Sequence, residues 1–129
     1  MTEERINLHG KFYTLANICT ETDEYIRLEA AGQGFALKLL INDASPLVRA
    51  TIARIKYGHI QLANDENWKV RATVAKHCNP KLLPRLIHDE NHFVRYIIAK
   101  RGFHLEHFLS DPDEEIADLA RYQLSKQLT

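Results

Sequence analysis

Apolar positions along the chain repeat with a period of about 22 residues. In each copy an apolar residue stands five positions after an acidic residue, and a second one follows a helical turn later on the same face. The first of these anchors recurs at intervals of 22, 22, 24 and 22 residues, at Ile26, Val48, Val70, Val94 and Ile116. A fixed period of this length predicts an array of structural repeats.

Each copy predicts two helices separated by a tight acidic loop. Upstream of the acidic residue, apolar residues such as Leu37, Leu40 and Ile41 form one stripe along a short first helix. Two residues after the acidic residue stands a residue of a type that commonly caps the N-terminus of a helix. In the second copy this residue is Ser45, and Pro46 follows it at the first helical position, where proline is favoured. The longer second helices are therefore predicted at residues 24–31, 46–57, 68–77, 92–101 and 114–127.

An arginine directly follows four of the five anchors, in step with the acidic residue of the loop. An alanine stands one turn after each of these arginines, so both lie on the flank where the next repeat packs. We expect each arginine to bond an acidic loop residue of its own or the adjacent repeat and so to set the repeat register. The other interpretation is an arginine column open to phosphates. The predicted structural ladder contains Asp43, Arg49, Asp65, Arg71, Asp89 and Arg95, and Arg27 occupies the equivalent position in the first copy.

One copy contains a Val-Arg-x-x-Val-Ala core followed by an Asn-Pro, Leu-Leu, Leu run. These residues are Val70, Arg71, Val74, Ala75, Asn79, Pro80, Leu82, Leu83 and Leu86. They resemble the leucine-rich repeat variant family, within the wider HEAT-like superfamily, and the resemblance covers roughly residues 15–125. It implies a right-handed superhelix in which an α-helix pairs with a shorter, sometimes 3₁₀, helix.

We therefore predict an all-α, right-handed α-solenoid of about five short two-helix repeats, in a single domain spanning residues 1–129. Residues 1–14 are interpreted as a polar N-terminal lead-in, and residues 111–129 as a C-terminal capping repeat in which Ala117 replaces the arginine. Some members of the resembled family hold an iron–sulfur centre on an N-terminal cysteine cluster. Because this chain has only Cys19 in that region, no cofactor is expected.

Composition and charge narrow the class of protein. The chain is 45% apolar and 26% charged, and no apolar run approaches the ~18 residues needed to span a bilayer. The N-terminus does not resemble a signal peptide and two cysteines make no disulfide framework, so we expect a cytoplasmic protein without a membrane partner. Net charge is zero, but residues 35–110 carry 12 Lys and Arg against 6 Asp and Glu. A basic centre can attract an acidic protein or a phosphate backbone.

Two sets of residues are candidates for partner binding. One is a basic column that begins one residue past the packing alanines and has no acidic counterpart in the repeat. The other consists of aromatic residues at the starts of the second helices, because Trp is enriched at binding hot spots. The candidates are Arg54, Lys76 and Lys100, with Lys69 and Arg101 beside them, and the aromatic Trp68 and Phe93. Solubilising lysines and aromatic side chains that cover the joint between repeats are the structural alternatives.

Catalysis and metal binding have little support in the sequence. His88 and His92, like His104 and His107, have the spacing of paired metal ligands on a helix. However, the first pair straddles a loop and the second lacks an obvious third ligand. The chain contains no Gly-rich phosphate loop, nucleophile elbow or zinc-protease helix motif. We expect neither an enzyme nor a metal site, and no small-molecule substrate.

Repeat arrays mostly present extended binding surfaces. The sequence therefore predicts a non-catalytic protein–protein interaction module or adaptor, whose partner is another protein. The alternative is a nucleic-acid-binding solenoid that uses the basic column, and a third possibility is an accessory subunit of a larger enzyme.

Overall fold

Helices dominate the fold, as predicted. The computed structural model describes residues 4–128, so residues 1–3 of the predicted lead-in and Thr129 of the predicted capping repeat lie outside the described part. In chain order the elements are β1 (Arg5–Leu8), β2 (Lys11–Thr14), α1 (Leu15–Thr20), α2 (Glu24–Gly32), α3 (Leu37–Leu40), α4 (Pro46–Arg54), α5 (His59–Leu62), α6 (Trp68–His77), a 3₁₀ helix (Pro80–Arg85), α7 (His92–Lys100), α8 (Leu105–Phe108) and α9 (Glu114–Gln127).

The longer helices α2, α4, α6, α7 and α9 each begin after a capping side chain. That side chain accepts a hydrogen bond from a first-turn amide, which has no partner inside the helix. The caps are Asp23, Ser45, Asn67, Asn91 and Asp113. The bounds of α2, α6, α7 and α9 agree with the sequence prediction to within one residue. Helix α4 ends at Arg54, earlier than predicted, and Lys56 beyond it has a left-handed backbone.

The N-terminal residues form a β-hairpin, so the all-α prediction is wrong in this respect. Strands β1 and β2 pair antiparallel around a turn at His9 and Gly10, both of which have positive φ. Such a turn matches the twist of the two strands. Leu8 and Tyr13 are buried where the hairpin packs on α1 and α2. The segment expected to be a polar lead-in therefore contributes two side chains to the core.

The longer helices contact one another in chain order: α2 with α4, α4 with α6, α6 with α7, and α7 with α9. Their anchor positions are buried from the second repeat onward, and Val48, Val70 and Val94 have no exposed surface. The positions where the prediction places the packing alanines are also fully buried. These are Ala31, Ala53, Ala75 and Ala99. Small side chains allow neighbouring helices to approach closely, so the core continues from one helix to the next.

The short helices also contribute to this core. Leu40, Leu62 and Phe108 are buried in it. The fourth short helix is 3₁₀ and contains Pro84, whose missing N–H and fixed ring disfavour a regular α-helix. Gly58 precedes α5 with φ of 65°, and a β-carbon there would clash with the side chain of Ile41. Glycine avoids this contact and the strain of the left-handed backbone, which Ala36 and His104 adopt at the equivalent entries to α3 and α8.

Val70→Ala should destabilise the fold by roughly 1–3 kcal/mol, because it removes two methyl groups from a site with no exposed surface. Chemical denaturation monitored by circular dichroism measures this change. Ile60→Ala is the control, since Ile60 is 67% exposed and its truncation should alter stability by less than about 0.5 kcal/mol. Equal effects of the two substitutions would contradict the assigned core register.

Candidate interaction surfaces

Each ladder arginine connects two consecutive loops. Arg71 Nε and Nη2 donate to the two carboxylate oxygens of Asp89 in the next loop, at 2.8 and 3.1 Å. Its Nη1 donates to the backbone carbonyl of Asp65, 2.8 Å away in its own loop. The same arrangement joins Arg27 to Asp43, Arg49 to Asp65 and Arg95 to Asp111, with Nε–Oδ2 distances of 2.8–2.9 Å.

The aspartate of each pair also holds the loop that precedes the next long helix. Asp89 Oδ1, for example, accepts a hydrogen bond from the amide of Asn91, at 2.9 Å. The hydrogen bond to Asp89 is the main cause that raises the pKa of Arg71 above its ordinary value. The four paired arginine side chains are at most 15% exposed. Their N–H groups are therefore directed at protein acceptors rather than at an external phosphate.

The two predicted aromatic candidates contact each other across neighbouring helices. The rings of Trp68 and Phe93 stack with centroids 5.3 Å apart and planes at 21°. Trp68 is half-buried against the core, Lys69 Nζ lies 5.8 Å from its ring centroid, and Phe93 remains 52% exposed. The pair thus covers the joint between α6 and α7 and still presents an apolar surface to solvent.

Phe93 also lines a cleft of about 570 Å³ between α7 and the start of α9. Its walls combine aromatic and apolar side chains with carboxylates. The lining residues are His92, Phe93, Tyr96, Asp113, Glu114, Glu115 and Ile116. Neither Tyr96, one turn after Phe93, nor the carboxylates were predicted as site residues, because the cleft depends on how α7 and α9 meet.

Of the two spaced histidine pairs, His104 and His107 contact each other edge-on, with ring centroids 6.0 Å apart, whereas His88 and His92 have other neighbours. His88 lies edge-on to His107, with ring centroids 4.8 Å apart, while His92 Nδ1 donates to Asp113 Oδ2 at 3.0 Å. That bond is the main cause that lowers the pKa of the Asp113 carboxyl. Within residues 4–128, no cluster of three or more His, Cys, Asp and Glu side chains is arranged to hold a metal.

A second, basic cleft of about 560 Å³ lies near the C-terminal ends of α4 and α6. It is lined by Lys56, His59, Lys76, His77, Cys78, Asn79 and Arg101. Of the predicted basic column, Lys76 lines this cleft, whereas Arg54 and Lys100 do not. Lys56 and His59 come from the loop after α4 and the start of α5.

Side chains at the basic cleft bind the ends of the adjacent helices. Arg101 Nη1 donates to the carbonyl of Ala75 at 2.8 Å, and His59 Nε2 donates to the carbonyl of Ala53 at 2.7 Å. Burial raises the pKa of the Cys78 thiol, which disfavours the nucleophilic thiolate. The neighbouring His77 and Cys78 therefore do not resemble an activated catalytic pair.

Comparison with family models, with curated proteins and with solved structures gave no match for this chain. No helix within the described range 4–128 is both long enough and apolar enough to cross a membrane.

Arg71→Ala should lower the unfolding free energy by about 3 kcal/mol, because it leaves the nearly buried Asp89 carboxylate without its cation. Denaturant titration measures the loss. Arg121→Ala is the matched control: Arg121 pairs with Asp118, both side chains are more than half exposed, and the expected loss is below about 1 kcal/mol. A loss at Arg71 no larger than that at Arg121 would contradict the structural role of the ladder.

His77 should make the protein less stable in weakly acidic solution. Burial is the main cause that lowers its pKa below 6.5, and Lys76, Lys56 and neighbouring basic groups add to it. As the pH falls below 6.5, the unfolded chain binds this proton before the folded chain does, so the unfolding free energy decreases until the folded-state pKa is reached. His77→Gln should flatten this part of the pH–stability curve, measured by denaturation at several pH values. An unchanged curve would show that His77 titrates alike in both states.

Proposed function

We propose that this chain is a non-catalytic protein-binding module, built as a right-handed α-solenoid of five two-helix repeats. The contacts of the longer helices in chain order and the four equivalent Arg–Asp pairs support this architecture. Each repeat buries its apolar face against the next, so the array forms one elongated surface, and such surfaces serve mainly to bind other macromolecules.

The observation that carries the proposal is the exposed apolar surface at the first turns of the longer helices. Tyr25 is 72% exposed, Leu47 and Phe93 are each 52% exposed, and Trp68 stacks on Phe93. These side chains start successive helices, α2, α4, α6 and α7. Aromatic side chains held in place by a neighbour bind with little loss of conformational freedom, which favours them as interface anchors.

The cleft between α7 and α9 indicates the chemistry of the partner. Phe93, Tyr96 and Ile116 provide an apolar wall, and Glu114 and Glu115 add negative charge at its rim. Neither glutamate forms an ion pair within the described residues. This combination favours a peptide segment that inserts an aromatic or branched apolar side chain and places Lys or Arg beside the glutamates.

A peptide-display selection against the purified chain tests both the function and the partner chemistry. We expect enriched peptides to carry an apolar anchor next to Lys or Arg. Phe93→Ala should weaken binding of a synthetic enriched peptide by at least about thirtyfold, the effect of losing a hot-spot residue. Phe12→Ala is the matched control, because Phe12 is 58% exposed on the hairpin and lies outside the cleft.

Two outcomes would contradict this proposal. Enriched peptides that bind equally to the Phe93→Ala and parent proteins would place the interface elsewhere. Retention of nucleic acid in a low-salt gel shift, lost as salt rises and unaffected by Phe93→Ala, would instead support nucleic-acid binding, because counterion release makes such binding steeply salt-dependent.

A further inference from the structure

We propose that the basic cleft, lined by Lys56, His59, Lys76, His77, Cys78, Asn79 and Arg101, binds a phosphate monoester. This site is separate from the proposed peptide-binding cleft and shares no lining residue with it. No acidic side chain of residues 4–128 lines the basic cleft, and no ion pair in that part of the chain involves Lys56, Lys76 or Arg101.

The positive charge of the cleft exceeds the negative charge of the helix ends beside it. A helix C-terminus carries about half a negative charge, so the ends of α4 and α6, and that of α7, which Arg101 caps, together attract about one and a half cations. The cleft is lined by three basic side chains, Lys56, Lys76 and Arg101. The excess is therefore about one and a half positive charges, at the lower end of the charge of about −1.5 to −2 on a phosphate monoester near neutral pH. A phosphodiester carries only one.

Lys56 occupies a backbone position that favours glycine. Its φ is 67°, in the left-handed region that an L side chain rarely adopts. The equivalent positions after α2 and α7 are glycines, Gly34 with φ of 81° and Gly102 with φ of 79°. A lysine at this position adds no described ion pair to offset its strained backbone, but it does line the cleft with a basic side chain. His9, Ala36 and His104 also have positive φ, so the feature that distinguishes Lys56 is that it replaces the glycine of the equivalent positions and lines the basic cleft.

Arg101 is anchored at the same cleft by a hydrogen bond to the end of α6. Its Nη1 donates to the Ala75 carbonyl and lies 3.7 Å from Cys78 Sγ. Among the described residues, Nε and Nη2 of Arg101 have no hydrogen-bond acceptor. A guanidinium anchored through one nitrogen keeps its other donors available for oxygens of a bound phosphate group.

The environment of His77 is consistent with a positive field in the cleft. After burial, the charges that lower its pKa are those of Lys76, Lys56, His59 and Arg54. A bound dianion would oppose these charges and raise the His77 pKa. The imidazole resonances of His77 can therefore report on occupancy independently of any activity.

The test is a nuclear magnetic resonance titration of the whole chain with methyl phosphate, at constant ionic strength and a pH where the dianion predominates. We expect saturable shifts at the amides of His77, Cys78 and Asn79. Dimethyl phosphate, which carries one negative charge, should bind at least about fivefold more weakly. Lys76→Gln should weaken methyl phosphate binding by about fivefold or more, whereas Lys38→Gln should not, because Lys38 is exposed on α3 and does not line the cleft.

Lys56→Gly separates the binding role of Lys56 from a structural one. Glycine relieves the left-handed backbone, so the melting temperature should stay the same or rise, while methyl phosphate binding weakens. Linear shifts without saturation, or equal affinity of the parent, Lys56→Gly and Lys76→Gln proteins, would overturn the proposal. Equal binding of methyl and dimethyl phosphate, or tighter binding of an oligonucleotide without terminal phosphates, would overturn the assignment to a monoester.

Discussion

The bidentate hydrogen bond between each ladder arginine and the aspartate of the next loop is the interaction on which the rest of the structure depends. The planar guanidinium reaches three acceptors at once: both carboxylate oxygens ahead of it and a backbone carbonyl behind it. The carboxylate in turn accepts a hydrogen bond from the backbone amide of the N-cap residue of the following long helix, as Asp65 does from Asn67. A local change at one loop is therefore expected to affect the start of the next long helix. The hydrogen-bond geometry of the Arg–Asp pairs sets the spacing of consecutive loops. Burial of apolar anchors such as Val48 and Val70 provides most of the free energy that stabilises the fold.

The ladder also determines where binding can occur. Its arginines donate their hydrogen bonds to acceptors within the protein and are not free to bind a partner. The side chains that can contact a partner therefore lie at the two ends of the longer helices. The first turns present Tyr25, Leu47 and Phe93, and the cleft beside Phe93 is acidic at its rim. The ends of α4 and α6 instead border a basic cleft. The proposed peptide and the proposed phosphate group thus occupy surfaces of different chemistry, set by residues that vary between otherwise similar repeats.

The sequence predicted the features that recur and missed those that occur once. The cap residues and the alternation of short and long helices follow from local rules that every copy repeats, and acid and arginine recur together as they do in the structure. The hairpin around Gly10 occurs once and lies outside the period, so the repeat pattern contained no signal for it. The clefts beside Tyr96 and Lys56 require two segments to meet, which local spacing does not describe. The left-handed backbone of Lys56 is likewise invisible in the sequence, except that Gly34 and Gly102 stand at the equivalent positions.

A double-mutant cycle on Arg49 and Asp65 tests the central role of the ladder most directly, because their side chains are about 10% exposed and lie 2.8 Å apart. Unfolding free energies are measured for Arg49→Ala, Asp65→Ala, the double variant and the parent. The ladder predicts a coupling energy of about 1–3 kcal/mol, since each single change leaves the other group without its partner. Additive losses, with a coupling no larger than that of the exposed Arg121 and Asp118, would contradict the account.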